Sequence, residues 1–365
     1  MEIAKKLSVA VLGGTGMVGQ RFVQLLDGHP WFETKIIAAS PKSAGKTYAE
    51  AVEGRWAMEE AVPTSVAGLV VRSIEDARTS AQDVDLVFSA VDMAKDEILR
   101  FEEDVAKTET PVVSNNSAHR WTPDVPMVIP EIDPEHLAVI ESQRKRLGTR
   151  RGFVAVKPNC SIQSYVPALA AWRCYEPTDV IVTTYQAISG AGKTFDTWPE
   201  MREDMIPFIS GEEEKSEREP LKIFGHIEGG RIVPATGPRI GCQCLRVPVL
   251  YGHTAAAFVR FAKDPGDKEE LVARLREYRG VPQELGLPTA PKQFIHHLDD
   301  DDRPRPSKDV WTERGMAVTT GRLRRDETFG GWKFVGLSHN TLRGAAGGAV
   351  ELAELLVAQG WIEKR

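Results

Sequence analysis

Leu7–Leu12, an apolar run of strand length, meets Gly13-Gly14-Thr15-Gly16-Met17-Val18-Gly19 with nothing between them, and a helical pattern follows to about Leu26. A strand, a glycine turn and a helix in direct succession bring free backbone N–H groups and a helix N-terminus to one point. That is an anion site suited to a pyrophosphate. Gly13, Gly16 and Gly19 are spaced GxxGxxG, a variant of the usual dinucleotide spacing. A tight turn without a ligand would show the same glycines, so the neighbouring segments must decide. Lys35–Ala39, Asp85–Ala90 (DLVFSA) and Pro111–Ser114 (PVVS) read as further buried strands with helical stretches between them. Strands alternating with helices imply an α/β fold with a parallel, doubly wound, Rossmann-type sheet. Candidate cofactor contacts are Gly13, Thr15, Gly16, Met17 and Val18 in the turn and Ser89 at the end of DLVFSA.

The end of the second strand indicates which dinucleotide. An NAD site usually carries an acid there for the ribose hydroxyls. Here the chain reads Ala38-Ala39-Ser40-Pro41-Lys42-Ser43-Ala44-Gly45-Lys46, with no acid. Ser40, Ser43 and Lys46 suit a 2′-phosphate, which points to NADP; an ordinary solvated loop is the plainer alternative.

After about residue 155 the texture changes. Val180–Ala187, Gly241–Leu250, Gly315–Arg324 and Trp332–Leu337 are strand-like, several alternate, and longer irregular stretches separate them. This predicts an α+β unit with a mixed sheet over 156–341, beside a nucleotide-binding unit over 1–155. The Ala-rich helical segment 342–359 needs a partner and is expected to pack back on the first unit, completing it with 342–365. A chain of 365 residues accommodates two domains of this size. Its net charge of −6 argues against a nucleic-acid partner. No run of 18 apolar residues appears, so no membrane span is expected. MEIAKKLSVAVLGGTG has basic residues before an apolar stretch, but that stretch is about six residues long and runs into glycines, so it reads as a strand, not a signal peptide. Four cysteines in this length make no disulfide framework, and reduced thiols in a cytoplasmic setting are the expectation. Asp299–Asp302 reads as a solvated loop.

Asn159-Cys160-Ser161 follows the strand-like FVAVKP, and Ile162, Tyr165, Val166, Leu169 and Trp172 are spaced as the buried stripe of a helix. Cys160 is thus expected at a helix N-terminus, where the macrodipole favours a thiolate nucleophile. A lone cysteine is more often a small core residue, and Cys174 is read that way. Cys242, Cys244 and Arg246 alternate along one strand and share a face. No second ligand pair accompanies the CxC, so no metal is expected. His253 follows Tyr251-Gly252 past the end of that strand, where the imidazole would be exposed at a sheet rim. A Cys–His pair is the minimum apparatus for thioester chemistry. Arg246 would be costly to bury without an anion, and a substrate carboxylate would serve.

These segments together resemble the aspartate-semialdehyde dehydrogenases, in particular their archaeal and fungal branch. The resemblance covers nearly the whole chain and rests on GGTGMVGQ, SNNSAHR at 114–120, PNCS at 158–161, YQAISGAG at 185–192, GEEEK at 211–215, RVPVLYGH at 246–253 and the late SHNTLRGAAGGA. It implies NADPH-dependent reductive dephosphorylation of β-aspartyl phosphate to aspartate semialdehyde, reversible through a cysteine thioester, on the route to lysine, threonine and methionine. It implies Cys160 as nucleophile, His253 as acid/base and Gln186 orienting the acyl group. Arg246 and Glu212 would hold the substrate carboxylate and ammonium, and Arg120, Lys215 and Asn115 the phosphate. Ser189 and Gly190 would touch the cofactor, and Asn340 its nicotinamide side. The neighbouring Glu213 and Glu214 leave the register of the Glu212 assignment open. Asn116 and His119 depart from the bacterial pattern and fit the archaeal–fungal one. The family implies a homodimer or homotetramer. N-acetylglutamyl-phosphate reductase and malonyl-CoA reductase share the cysteine plan, but neither substrate offers a free ammonium to Glu212. A cofactor-binding regulator without turnover would have no use for Cys160, His253, Gln186, Arg246 and Arg120 together.

Overall fold

The structure, a computed structural model, describes residues 5–365; residues 1–4, the start of the expected nucleotide-binding unit, lie outside the described residues. Fourteen strands are present among the described residues. The first six are β1 (Leu7–Leu12), β2 (Phe32–Ala39), β3 (Arg72–Ser73), β4 (Leu86–Ser89), β5 (Val112–Ser114) and β6 (Val154–Val156). They form one sheet in the order β3-β2-β1-β4-β5-β6, parallel throughout. This is the doubly wound order, whose ligand crevice opens where the order reverses, at the carboxyl ends of β1 and β4.

Burial on both faces explains the continuous apolar run of β1. Leu7, Val9 and Val11 pack with Phe22, Phe88 and the helix Ala346–Ala358, while Ala10 and Leu12 face Val87, Val112 and Val154 on the other side. The helix Ala346–Ala358 lies against the helix Met17–Leu26 and β5. It is buried nearly all round, with Glu354 bonded to His29 at 2.9 Å and Glu351 to Arg343 at 2.6 Å.

The later strands are β7 (Pro177–Ala187), the hairpin β8 (His226–Glu228) and β9 (Arg231–Val233), then β10 (Arg239–Val247), β11 (His253–Phe261), β12 (Ile295–Leu298), β13 (Val318–Asp326) and β14 (Gly331–Ser338). All but the hairpin form a second, mixed sheet in the order β10-β7-β11-β14-β13-β12. Along β7, Val180, Val182, Thr184 and Gln186 point inward, while Ile181 and Tyr185 are exposed. One apolar core runs from Val154 and Val156 through Ile162, Tyr165 and Trp172 to β7, β11 and β14.

Several expectations are corrected. The second strand begins at Phe32, before Lys35, because Trp31 and Phe32 are themselves buried. His253 does not follow a strand end; it opens β11, which sequence reading missed, and it is fully buried rather than exposed. The segment after Cys160 is a 3-10 turn, Ser161–Ser164, followed by a short helix Val166–Ala171 buried on every side, so no long amphipathic helix starts there. Cys174 is exposed, not core, since the chain turns outward at Arg173–Tyr175.

Candidate active site

The turn after β1 is closed by contacts only glycine allows. Gly13 has φ +80°, and a Cβ on it would stand 2.3 Å from the Ala90 carbonyl oxygen. A Cβ on Gly19 would meet the Gly13 oxygen at 2.2 Å, so the helix Met17–Leu26 sits hard against the turn. Gly16 is the residue before that helix and its N–H groups face the crevice end of the sheet. Leu12 pairs with Ser89, which puts Ser89 at the point where the strand order reverses. Thr15, Met17 and Val18 lie on the same turn, and Val18 lines the cleft described below. At the end of β2, Ser40 and Lys46 are exposed and Ser43 is buried. The Ser43 hydroxyl accepts a 2.7 Å hydrogen bond from Arg55. Arg55 was not singled out from the sequence; only the fold brings it from a following turn to this loop.

A cleft of about 250 Å³ is lined by Asn115, Arg120, Lys157, Cys160, Glu212 and Lys215, together with Ser189, Gly190 and Asn340 among others. Cys160 Sγ lies 3.3 Å from His253 Nε2. The Ala187 N–H donates to His253 Nδ1 at 3.0 Å, so a neutral ring carries its proton on Nε2, facing the sulfur. Burial, then the Arg246 charge, pull the imidazole down to about 3. Burial and the Glu212 carboxylate push the Cys160 thiol up, against Lys157, Arg120 and Arg246. The ligand-free pair is therefore a thiol and a neutral imidazole, not the dipole-stabilised thiolate expected from a helix N-terminus. The physical reasons are the burial of the sulfur and the Glu212 carboxylate beside it, with only a 3-10 turn following Cys160 in place of the expected helix.

Glu212 opens the helix Glu212–Ile223 and points into the cleft, while Glu213 caps the Cys244 N–H and Glu214 is exposed with Arg218. Glu212 accepts from Asn159 Nδ2 at 2.9 and 3.0 Å, from Lys215 Nζ at 2.8 Å and from Gln186 Nε2 at 3.3 Å. Burial opposes its charge, but Lys215 and these hydrogen bonds outweigh that and hold its carboxyl below the usual range. Gln186 and Arg246 are buried; the Arg246 guanidinium donates to the Ala187 carbonyl at 2.8 Å and borders Gly190. Arg120 is paired with Glu219 at 2.9 Å, and Glu219 also accepts the Asn159 N–H at 2.6 Å. The side-chain oxygen of Asn115 is buried without a partner. Asn340 accepts the Gly252 N–H at 2.9 Å and donates to the Ser189 hydroxyl at 2.8 Å, which ties the late loop to the turn after β7. Lys157, also unmarked in the sequence reading, is buried in the same cleft. Arranged this way, the cleft presents a sulfur nucleophile, an N–H donor beside it, one carboxylate and three basic side chains, with Arg246 at its border.

Residues 8–140 match the family model described as semialdehyde dehydrogenase, NAD binding domain, and residues 167–343 match semialdehyde dehydrogenase, dimerisation domain. The chain is 42% identical to an aspartate-semialdehyde dehydrogenase of Methanothermobacter thermautotrophicus, over 96% of this chain and 99% of that one. It is 39% identical to one from Aspergillus fumigatus, over 98% and 99%. Among solved structures it resembles aspartate semialdehyde dehydrogenase with NADP from Candida albicans, with a TM-score of 0.87 and 37% identity over 98% of this chain and 100% of that one.

Proposed function

The chain belongs to the aspartate-semialdehyde dehydrogenase family, and from that premise we propose that its cleft carries out the NADPH-dependent reduction of β-aspartyl phosphate to aspartate semialdehyde through a thioester on Cys160. The observation that carries this reading is the Cys160–His253 contact beside a buried Glu212, since a free ammonium needs that carboxylate and an acetylated amine or an acyl-CoA does not.

Residues 5–155 with 342–365 form the cofactor-binding unit. The Gly13–Gly19 turn and the following helix N-terminus suit the pyrophosphate, and Ser40, Ser43, Lys46 and Arg55 suit a 2′-phosphate, with no acid on that strand end to repel it. Ser189 and Asn340, bonded to each other and lining the same cleft as Cys160, suit the nicotinamide side of the cofactor. NADPH, when bound, supplies hydride.

Arg246 takes the α-carboxylate and Glu212 the ammonium. That ammonium neutralises the strongest charge opposing the thiolate, so substrate binding itself lowers the Cys160 pKa. As the sulfur attacks the acyl carbon, held by Gln186, the bond to the phosphate oxygen breaks and the thiol proton leaves with the phosphate, which departs as hydrogen phosphate toward Asn115, Arg120 and Lys215. Hydride supplied to the thioester carbonyl would leave a negative charge on its oxygen. The His253 Nε2–H, 3.3 Å from the sulfur, would stabilise that charge as it passes from oxygen to sulfur when the C–S bond breaks and the aldehyde leaves, and the thiolate would recover its proton from solvent. Nδ1 is occupied by the Ala187 N–H, which supports a donor role for this ring over a base role.

Residues 156–341 also supply the self-association surface; the outward face of β7, with Ile181 and Tyr185 exposed, suits a second copy. No helix among the described residues is long and apolar enough to cross a membrane. Four free thiols suit a reducing, cytoplasmic setting.

The test is NADP⁺ reduction by aspartate semialdehyde with and without phosphate, for wild type and Cys160→Ala. Phosphate-dependent turnover that vanishes in the variant is the expected result. Absence of turnover in the wild type overturns the reading.

A further inference from the structure

Four basic side chains line or border the cleft, and two of them already have carboxylate partners. Arg120 is paired with Glu219 at 2.9 Å and Lys215 with Glu212 at 2.8 Å. Among the described residues the Arg246 guanidinium has only the Ala187 carbonyl as a partner. Lys157 has only the Gly344 carbonyl for its ammonium, with no carboxylate within ion-pair reach among the described residues. It is 3% exposed. A lysine with no counter-ion is rarely buried this far, because desolvating the charge is not repaid by a carbonyl alone. The site therefore has two basic side chains without a carboxylate partner for a substrate with two anionic groups, a carboxylate and a phosphate.

The backbone holds Lys157 in place from three sides. Its N–H donates to the Ser114 carbonyl at 3.2 Å, which ties it to the start of the 114–120 loop, and its carbonyl accepts from Arg120 Nε at 3.2 Å. Gly344, which receives its ammonium, can approach because it lacks a side chain; a Cβ there would stand 2.8 Å from Cys160 Cβ. Lys157 is thus fixed between Arg120 and the nucleophile, three residues before Cys160.

We propose that Lys157 is a direct ligand of the reaction's phosphate group, binding it together with Arg120 and Asn115 while Arg246 takes the carboxylate. This rests on the reaction assigned above. Arg120 and Lys215, already paired, then shape and steer rather than supply the missing charge. Burial, then Arg120, draw the Lys157 ammonium down to about 7, with Cys160, Glu219 and Glu212 opposing them. An incoming oxyanion reverses that balance, so Lys157 takes up a proton as the anion binds.

Two measurements test this. The first is the KM for phosphate and for aspartate semialdehyde in the oxidative direction, for wild type, Lys157→Met and Lys157→Arg. Loss of a charge-assisted contact predicts a phosphate KM raised about 30-fold in the Met variant, an aldehyde KM within about threefold, and partial recovery in the Arg variant. A merely structural lysine would instead lower the Tm of Lys157→Met and leave the phosphate KM alone. The second needs no variant. Calorimetry of sulfate binding to the wild type at pH 8, in two buffers of different ionisation heat, should show proton uptake, since sulfate does not titrate there. An unchanged phosphate KM in Lys157→Met, or sulfate binding without proton uptake, overturns the role. A wild type with no phosphate-dependent turnover would sink the underlying reaction instead, so the two failures are distinguishable.

Discussion

Cys160 and His253 stand 93 residues apart in the chain and 3.3 Å apart in space, and the imidazole presents its N–H, not its lone pair, to the sulfur. With the imidazole drawn down to about 3 and the thiol pushed up, both groups are neutral across the physiological range. Alkylation of Cys160 by iodoacetamide in the ligand-free enzyme should therefore rise only as pH passes the ordinary thiol value of about 8.5, with no plateau at lower pH. Mass spectrometry of the modified peptide against pH reads this directly. A reactive plateau near pH 6 would indicate a thiolate–imidazolium pair and contradict the assignment of tautomer.

Glu212→Gln should split two properties that a general loss of structure would move together. Removing the carboxylate removes the main electrostatic opponent of the thiolate, so alkylation of Cys160 at pH 7 should accelerate. The same change removes the partner of the substrate ammonium, so the KM for aspartate semialdehyde should rise by roughly 10- to 100-fold, the value of a charged hydrogen bond. A variant whose thiol reactivity falls would show that Glu212 does not act on Cys160 in this way.

Local signals made the first sheet readable. The run Leu7–Leu12, the glycines after it and the missing acid at Ser40 all act within a few residues, and β1 and the helix Met17–Leu26 stand where they were expected. Of the site, Cys160, His253 and Arg246 were readable one by one from their local settings, while Gln186, Glu212, Arg120, Lys215 and Asn115 came only through motif resemblance, because the site's chemistry comes from distant segments. β11 was missed because Gly252 seemed to end a strand, although His253, Ala255, Ala257 and Val259 alternate inward along it. Lys157 and Arg55 carry no mark in the sequence. A lysine after a strand and an arginine in a turn are ordinarily solvated, and only tertiary packing buries the first and aims the second at Ser43.

Gly13 and Gly16 differ in what a methyl group would meet, and their alanine variants should differ accordingly. Gly13→Ala forces a Cβ to 2.3 Å from a backbone oxygen at φ +80°, a combination expected to cost about 1–3 kcal/mol or more and to displace the turn. Gly16→Ala meets nothing closer than 3.6 Å. Thermal unfolding should show a lower Tm for Gly13→Ala and little change for Gly16→Ala. NADP⁺ titration by fluorescence should show affinity lost in the first. Equal behaviour of the two would mean that the close packing of this turn is not what shapes the cofactor site.

The preference for NADP should rest on Arg55 more than on Lys46. Arg55 donates to Ser43 at 2.7 Å and is held on its other edge by the Ala51 carbonyl, so its guanidinium is fixed beside the loop before any ligand arrives. Lys46 is exposed, and among the described residues neither a salt bridge nor a side-chain hydrogen bond fixes its ammonium. A pre-positioned, bidentate cation contributes more to phosphate recognition than a mobile point charge, which must be ordered on binding. Arg55→Ala should therefore lower the ratio of kcat/KM for NADP⁺ over NAD⁺ by about 10- to 100-fold, mainly through KM for NADP⁺, with NAD⁺ kinetics little changed. Lys46→Ala should lower it by only about two- to fivefold. Steady-state kinetics with both cofactors decides the matter. If the two variants exchange places in this order, the 2′-phosphate lies nearer Lys46 than the Ser43–Arg55 pair, and the geometry of the loop after β2 has to be reassigned around that lysine.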